Sequence, residues 1–139
     1  MKSIKKIVIA FLALCLFCVA FAACGEQTAP LSGEYMGPKG ERYVFTNYSM
    51  TIMNVEGVRD ATLRCSYRIV TEEDGTERIT VTRESYSYSG MDPAIKSLIN
   101  DYNSAIDSAN SAARQTEYVL KRGDGYIMLD KLWLMEVRE

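Results

Sequence analysis

Two alternating runs joined by a turn dominate the chain. In Thr62 to Thr71, Leu63, Cys65, Tyr67 and Ile69 alternate with Arg64, Ser66 and Arg68. In Thr76 to about Ser87, Ile79 and Val81 alternate with Thr80 and Thr82. A period of two places each set on its own face of a strand. Glu73-Asp74-Gly75 lies between the runs, and Asp-Gly at such a place predicts a tight hairpin with positive φ at both turn positions.

Shorter strand signals flank this hairpin. Gly33 to Met36, Tyr43 to Thr46 and Ser49 to Val55 precede it. Glu117 to Lys121, Tyr126 to Leu129 and Leu132 to Val137 follow, with turns at Gly123-Asp124-Gly125 and Asp130-Lys131. Between the two groups the period changes. Asp92 reads as an N-cap with Pro93 at the first helical position. Ile95, Ile99, Tyr102, Ile106, Ala109 and Ala113 then form one apolar stripe, which predicts a helix over 93–115. Its other faces carry Ser97, Asn100, Asn103, Ser104, Ser108, Asn110 and Ser111, so it depends on something to pack against. The last strand, Leu132-Trp133-Leu134-Met135, is apolar on both faces, and a one-sided strand should alternate. The stripe is therefore expected to cover that strand, with Ile95, Ile99, Tyr102 and Ile106 on one face of Leu132 to Met135. The expected fold class is mainly β (α+β). It has about eight short antiparallel strands in a meandering barrel or half-barrel, with one long helix inserted before the last three strands.

The N-terminus has a different character. Lys2, Lys5 and Lys6 precede an uncharged apolar run from Ile7 to Ala23. A basic start, an apolar stretch and small residues before a cut site mark a signal peptide. The run is also near the lower limit for spanning a bilayer, so a retained membrane anchor is the competing reading. Phe21-Ala22-Ala23-Cys24-Gly25 resembles the bacterial lipobox, with Phe21 where Leu is usual. Cys15 and Cys18 follow Leu14 and Phe17, which are too large for the cleavage pocket. The resemblance implies that Cys24 carries a diacylglycerol and that cleavage occurs before it. Two acyl chains would anchor the protein stably. The expected organisation is a signal peptide at 1–23, a lipidated N-terminus and linker at 24–32, and a β domain at 33–139. The expected location is the extracytoplasmic face of the cell membrane.

Composition narrows the function classes. The signal segment holds three of the 16 Lys and Arg and none of the 18 Asp and Glu, so the remainder is acidic with interspersed charges. That balance argues against a nucleic-acid partner, which would need a basic face. It also gives the domain no electrostatic reason to lie on anionic lipid. There is no His among the 139 residues, which removes the commonest general base and metal ligand. Cys65 would be the one thiol left after lipidation. Its place on the apolar face of the alternating run marks it as a small buried hydrophobe.

The β domain resembles the small lipocalin-like domains of lipoproteins from anaerobic Gram-positive bacteria. The likeness rests on Gly33-Glu34-Tyr35, on Tyr43-Val44-Phe45-Thr46-Asn47, and on Ser66-Tyr67-Arg68-Ile69 with Ile79-Thr80-Val81-Thr82. Lipocalins open with G-x-W capped by a basic residue from the end of the last strand; here Tyr35 and Arg138 stand in those roles. Their Thr-Asp-Tyr loop motif is absent. The resemblance implies a calyx for a small apolar ligand, while a barrel this small is equally filled by its own side chains.

Few residues suggest chemistry. Tyr86 and Tyr88, on one side of a strand end, and Tyr102 on the helix form a candidate surface for a ligand or an envelope protein partner. The competing reading is a half-buried strand, where Tyr is favoured. Arg122-Gly123-Asp124 and Asn47-Tyr48-Ser49 read as turn chemistry. Glu72, Glu73, Asp74 and Glu77 surround a turn and are solvated. There is no nucleophile with a base, phosphate loop or metal-ligand cluster, so the protein is expected to be no enzyme and to use neither cofactor nor metal. A lipid-anchored ligand- or partner-binding protein is the leading expectation. An accessory subunit with a filled barrel is second, and a hydrolase is last.

Overall fold

The computed structural model describes Glu26, Gln27 and residues 30–138. The segment 1–23 and the proposed lipidation residue Cys24 lie outside the described residues. Nine strands form one sheet: β1 (Glu26–Gln27), β2 (Gly33–Met36), β3 (Arg42–Thr46), β4 (Ser49–Met53), β5 (Ala61–Thr71), β6 (Glu77–Tyr88), β7 (Gln115–Gly123), β8 (Tyr126–Leu129) and β9 (Leu132–Glu136). Every pairing is antiparallel, and β9 returns to β2. Strands β2 to β9 thus make a closed eight-stranded barrel with an up-and-down order, which leaves no long free edge. The two-residue β1 pairs with Val70 and Thr71 of β5, beyond the stretch that β4 occupies.

The alternating faces sort as the sequence requires. Leu63, Cys65, Tyr67 and Ile69 of β5 point inward with Ile79 and Val81 of β6, and all are buried. Phe45, Ile69, Ile79 and Leu134 are among the largest fully buried side chains. Tyr35 and Tyr67 each meet Phe45 edge-on, with ring centroids 5.7 Å apart. Each such aliphatic or aromatic group contributes about 1.5–3 kcal/mol. The barrel is therefore a packed core with little room for a guest.

In a meander, alternate connections lie at opposite ends. One end carries the β3–β4, β5–β6 and β7–β8 turns and receives the chain before β2. It is closed by Leu31, which is buried, and by Tyr67, whose hydroxyl lies 3.0 Å from the Leu31 carbonyl and 3.2 Å from that of Thr46. Arg122 of β7 donates to Glu77 of β6 at 2.9 Å, and Arg138 pairs with Asp124 at 2.8 Å. The Arg-Gly-Asp tripeptide is thus ion-paired to the chain's own side chains at the surface. Arg138 does not take the capping role expected of it over Tyr35: it clasps the β7–β8 turn, and the cation acting on the Tyr35 hydroxyl is Arg122.

Two turns depart from expectation. The β5–β6 hairpin has positive φ only at Gly75, +87°. Glu72 accepts from the Gly75 amide and donates to the Thr76 carbonyl, so the turn is closed by one left-handed glycine rather than two left-handed residues. Strand β4 ends at Met53 rather than Val55, because Asn54 is left-handed (φ +53°) and its side chain accepts from the Asp60 amide at 3.2 Å.

The helix is shorter than 93–115. Helix α1 spans Pro93–Ser108, and a single turn, α2, spans Ser111–Arg114. Asp92 caps α1 through the Ala94 amide at 2.9 Å, with Pro93 at its first position. At the other end the Ser108 hydroxyl bonds back to the Ser104 carbonyl at 2.8 Å. Asn110 accepts from the Ala113 amide at 2.8 Å and so starts a new turn. Ser and Asn side chains compete with the helix for its own backbone groups, and here they end it. Ala109 and Ala113 consequently fall outside α1.

Candidate functional site

The helix does not cover the final strand. It lies against the upper half of β6, burying Ile99 and Ile106, with Ile95 and Tyr102 packed against the core. The cause is in the backbone. Strand β7 pairs with β6 only from Glu77 to Thr82, so the edge of β6 from Arg83 onward lacks β7 beside it. Asn103 of α1 fills in for a strand there. Its Oδ1 accepts from the Tyr86 amide at 2.7 Å, and its Nδ2 donates to the Tyr86 carbonyl at 2.9 Å. Two half-buried backbone groups are thus satisfied by one side chain. The final strand keeps a bare outer face: Trp133 and Met135 are 50% and 55% exposed, and the Trp133 ring stacks on Tyr126 with centroids 4.6 Å apart. Met36 of β2 lies opposite Met135 and is exposed as well.

A second local irregularity shapes the region beneath the helix. The β5–β6 register shifts between Arg64 and Cys65: Cys65 faces Arg83, while Arg64 faces Ser85. Glu84 is the extra residue of this β-bulge. Inward positions on β6 therefore change from odd (Ile79, Val81, Arg83) to even (Tyr86, Tyr88). Bulges re-aim side chains in this manner. Arg83 keeps the inward parity of Val81, and the bulge beyond it places Tyr86 under α1.

The result is a cleft of about 180 Å³ lined by Glu56, Arg83, Tyr86, Tyr102, Ala105 and Ile106. The rings of Tyr86 and Tyr102 meet at 5.2 Å. Arg83 donates from Nη2 to the Ala113 carbonyl at 3.1 Å, whereas its Nε is buried with no hydrogen-bond partner. Glu56 stands in the β4–β5 turn, exposed, with φ +57°. No ion pair joins Glu56 to Arg83 among the described residues. Burial raises the Tyr86 hydroxyl above its ordinary range, with the Glu56 carboxylate adding to that and the Arg83 guanidinium opposing it. A separate space of about 100 Å³ inside the barrel, lined in part by Met50, Leu63, Cys65 and Leu132, also touches Arg83.

Of the three tyrosines singled out from sequence, Tyr86 and Tyr102 come together in this cleft. Tyr88 does not line it. It packs against the core, and its hydroxyl accepts from the Asp92 amide at 3.2 Å at the start of α1. Arg83, Glu56 and Asn103 were not singled out. Cys65 is 1% exposed, and burial pushes its thiol up to about 12, with the Glu84 carboxylate adding to the shift and Arg83 opposing it. Among the described residues no group of three or more Cys, Asp or Glu is placed to hold a metal, and no helix is long and apolar enough to cross a membrane.

No family model, curated protein or solved structure matches this chain.

Proposed function

We propose that the protein is a membrane-anchored extracytoplasmic lipoprotein, held by lipid on Cys24, whose lipocalin-like barrel binds a small ligand without catalysing a reaction. The anchoring half rests on Phe21-Ala22-Ala23-Cys24 after a basic and then apolar start. The geometry is compatible with it. The first described strand begins at Glu26 and lies at the barrel end opposite the helix. A lipid on Cys24 would hold the closed end near the bilayer and turn the cleft away from it.

The binding half rests on one observation: Arg83, half-buried and in no ion pair among the described residues, lines an aromatic cleft. A guanidinium at a cleft wall keeps its accessible donors for an acceptor brought by a ligand. The packed interior supports a binding site in the cleft beneath the helix rather than at the barrel's centre.

The second reading, an accessory subunit with a filled barrel and no ligand, is favoured by the fully buried Phe45, Ile69, Ile79 and Leu134. Two experiments separate these readings. Cys24→Ala should leave the protein as uncleaved precursor or release it from the membrane fraction; normal processing and lipid labelling in that variant would end the lipoprotein reading. Native mass spectrometry of the protein from its host should show a retained small molecule. A bare mass would favour the accessory reading.

A further inference from the structure

We propose that the cleft beneath α1 takes a small zwitterion of the amino-acid type, with its carboxylate on Arg83 and its ammonium toward Glu56 and the Tyr86–Tyr102 pair. This rests on the ligand-binding reading above and narrows it to one chemistry.

The two charges of the cleft carry the inference. Arg83 is half-buried and faces inward opposite Cys65, just before the bulge at Glu84. One of its nitrogens donates to the Ala113 carbonyl, and no carboxylate pairs with the guanidinium among the described residues. A guanidinium offers its donors in a planar fork that matches a carboxylate. Glu56 is the acid of the cleft, and it is exposed. It forms no ion pair with Arg83, so the two charges stay apart within one small space. A simple anion would satisfy Arg83 while meeting the Glu56 carboxylate. A simple cation would do the reverse. A molecule with an acid at one end and an ammonium at the other satisfies both.

Two further features fit this reading. Glu56 is held at φ +57° beside Gly57 at +77°. A left-handed glutamate is strained and tends to mark a site. The paired rings of Tyr86 and Tyr102 supply π faces that attract an ammonium group. About 180 Å³ suits a single amino acid and is too small for an extended peptide or an acyl chain.

The test uses residues 25–139, which contain every strand of the barrel and both helices. Each of the twenty L-amino acids is added at about 10 mM, and melting is followed. At about ten times Kd, ligand binding should raise the melting temperature by about 4 °C. At least one amino acid should give such a rise. Its Kd by calorimetry should weaken about tenfold or more in Arg83→Gln. It should also weaken in Glu56→Gln, which changes an exposed side chain and leaves the core intact. The same molecule without its amino group, or without its carboxylate, should bind about tenfold more weakly. If Arg83→Gln fails to fold by circular dichroism, Glu56→Gln and the two charge-deleted analogues decide. The proposal is overturned if no amino acid shifts the melt, if Glu56→Gln binds as tightly as the parent, or if the deaminated acid binds equally well. A retained host molecule of another chemistry in the native mass spectrum would overturn the zwitterion while leaving the ligand-binding reading standing.

Discussion

The upper half of β6, with Tyr86 and Tyr88, and the outer wall of β9, with Trp133 and Met135, both present large side chains, yet α1 covers one and leaves the other in water. Ile99 and Ile106 are buried beside β6, while Trp133 and Met135 remain about half exposed. The difference lies in how specific each surface is. The β9 wall offers only area, from Trp133, Met135 and the neighbouring Met36, and any apolar surface would suit it. Strand β6 beyond Thr82 offers a backbone N–H and C=O at Tyr86, and the Asn103 amide meets both. Hydrogen bonds to the backbone of one residue fix a helix at one place, where hydrophobic burial alone leaves several. An apolar stripe says that a helix must be covered. An unpaired strand edge says where.

Three experiments strain this contrast. The largest effect should come from Ile99→Asp, which leaves an uncompensated charge between α1 and the barrel and should cost about 3–5 kcal/mol in urea unfolding. A loss under about 1 kcal/mol would mean that α1 is not part of the core.

Next is the response of the barrel interior to alkali. The Cys65 thiol ordinarily titrates at 9.0 and is pushed up to about 12 by burial. Between these values the unfolded chain loses a proton that the folded chain keeps. The associated stability is fully present below pH 9 and is lost as pH rises toward 12, by up to about 1.4 kcal/mol per pH unit. Burial raises the Tyr43 hydroxyl too, with the same sign. Urea midpoints should therefore fall from pH 9 to 11, less steeply in Cys65→Ala. A flat profile would mean that the interior admits water.

The smallest effect should come from Trp133→Ser on the bare wall. It loses the stack on Tyr126 and some half-exposed area, for about 1 kcal/mol or less. A loss near that of Ile99→Asp would show the β9 wall to be covered in solution.

Much of the barrel is legible in the sequence because its signals are local. The alternation of Leu63 to Ile69, Gly75 in the turn and Asp92-Pro93 before the helix each act within a few residues. Eight strands with a helix before the last three follow from them. The seat of the helix is not legible in that way. It depends on β7 beginning only at Gln115, opposite Thr82, a matter of register between residues far apart. The length of α1 is misjudged because the stripe through Ala109 and Ala113 keeps its period, while Ser108 and Asn110 withdraw the backbone from it. Part of the cleft leaves a faint trace. Ile79 and Val81 are inward at odd positions, while Tyr86 and Tyr88 are inward at even ones. A strand can change parity only through a bulge, so an extra residue between Val81 and Tyr86 is implied. That Arg83, Tyr86 and Glu56 come to line one cleft, and that Asn103 meets the Tyr86 backbone, appears only once the strands are paired.

Hydrogen exchange on residues 25–139 and on Asn103→Ala tests the docking of α1 on β6 most directly. The amides of Ile99 to Ile106 should exchange slowly, with the amide of Tyr86 protected alongside them. In Asn103→Ala the Tyr86 amide should lose its protection, and the α1 amides should speed up by about tenfold or more, since two half-buried hydrogen bonds are removed. Fast exchange across Ile99 to Ile106 in the unaltered protein, or an unchanged Tyr86 amide in Asn103→Ala, would contradict a helix seated on the β6 edge.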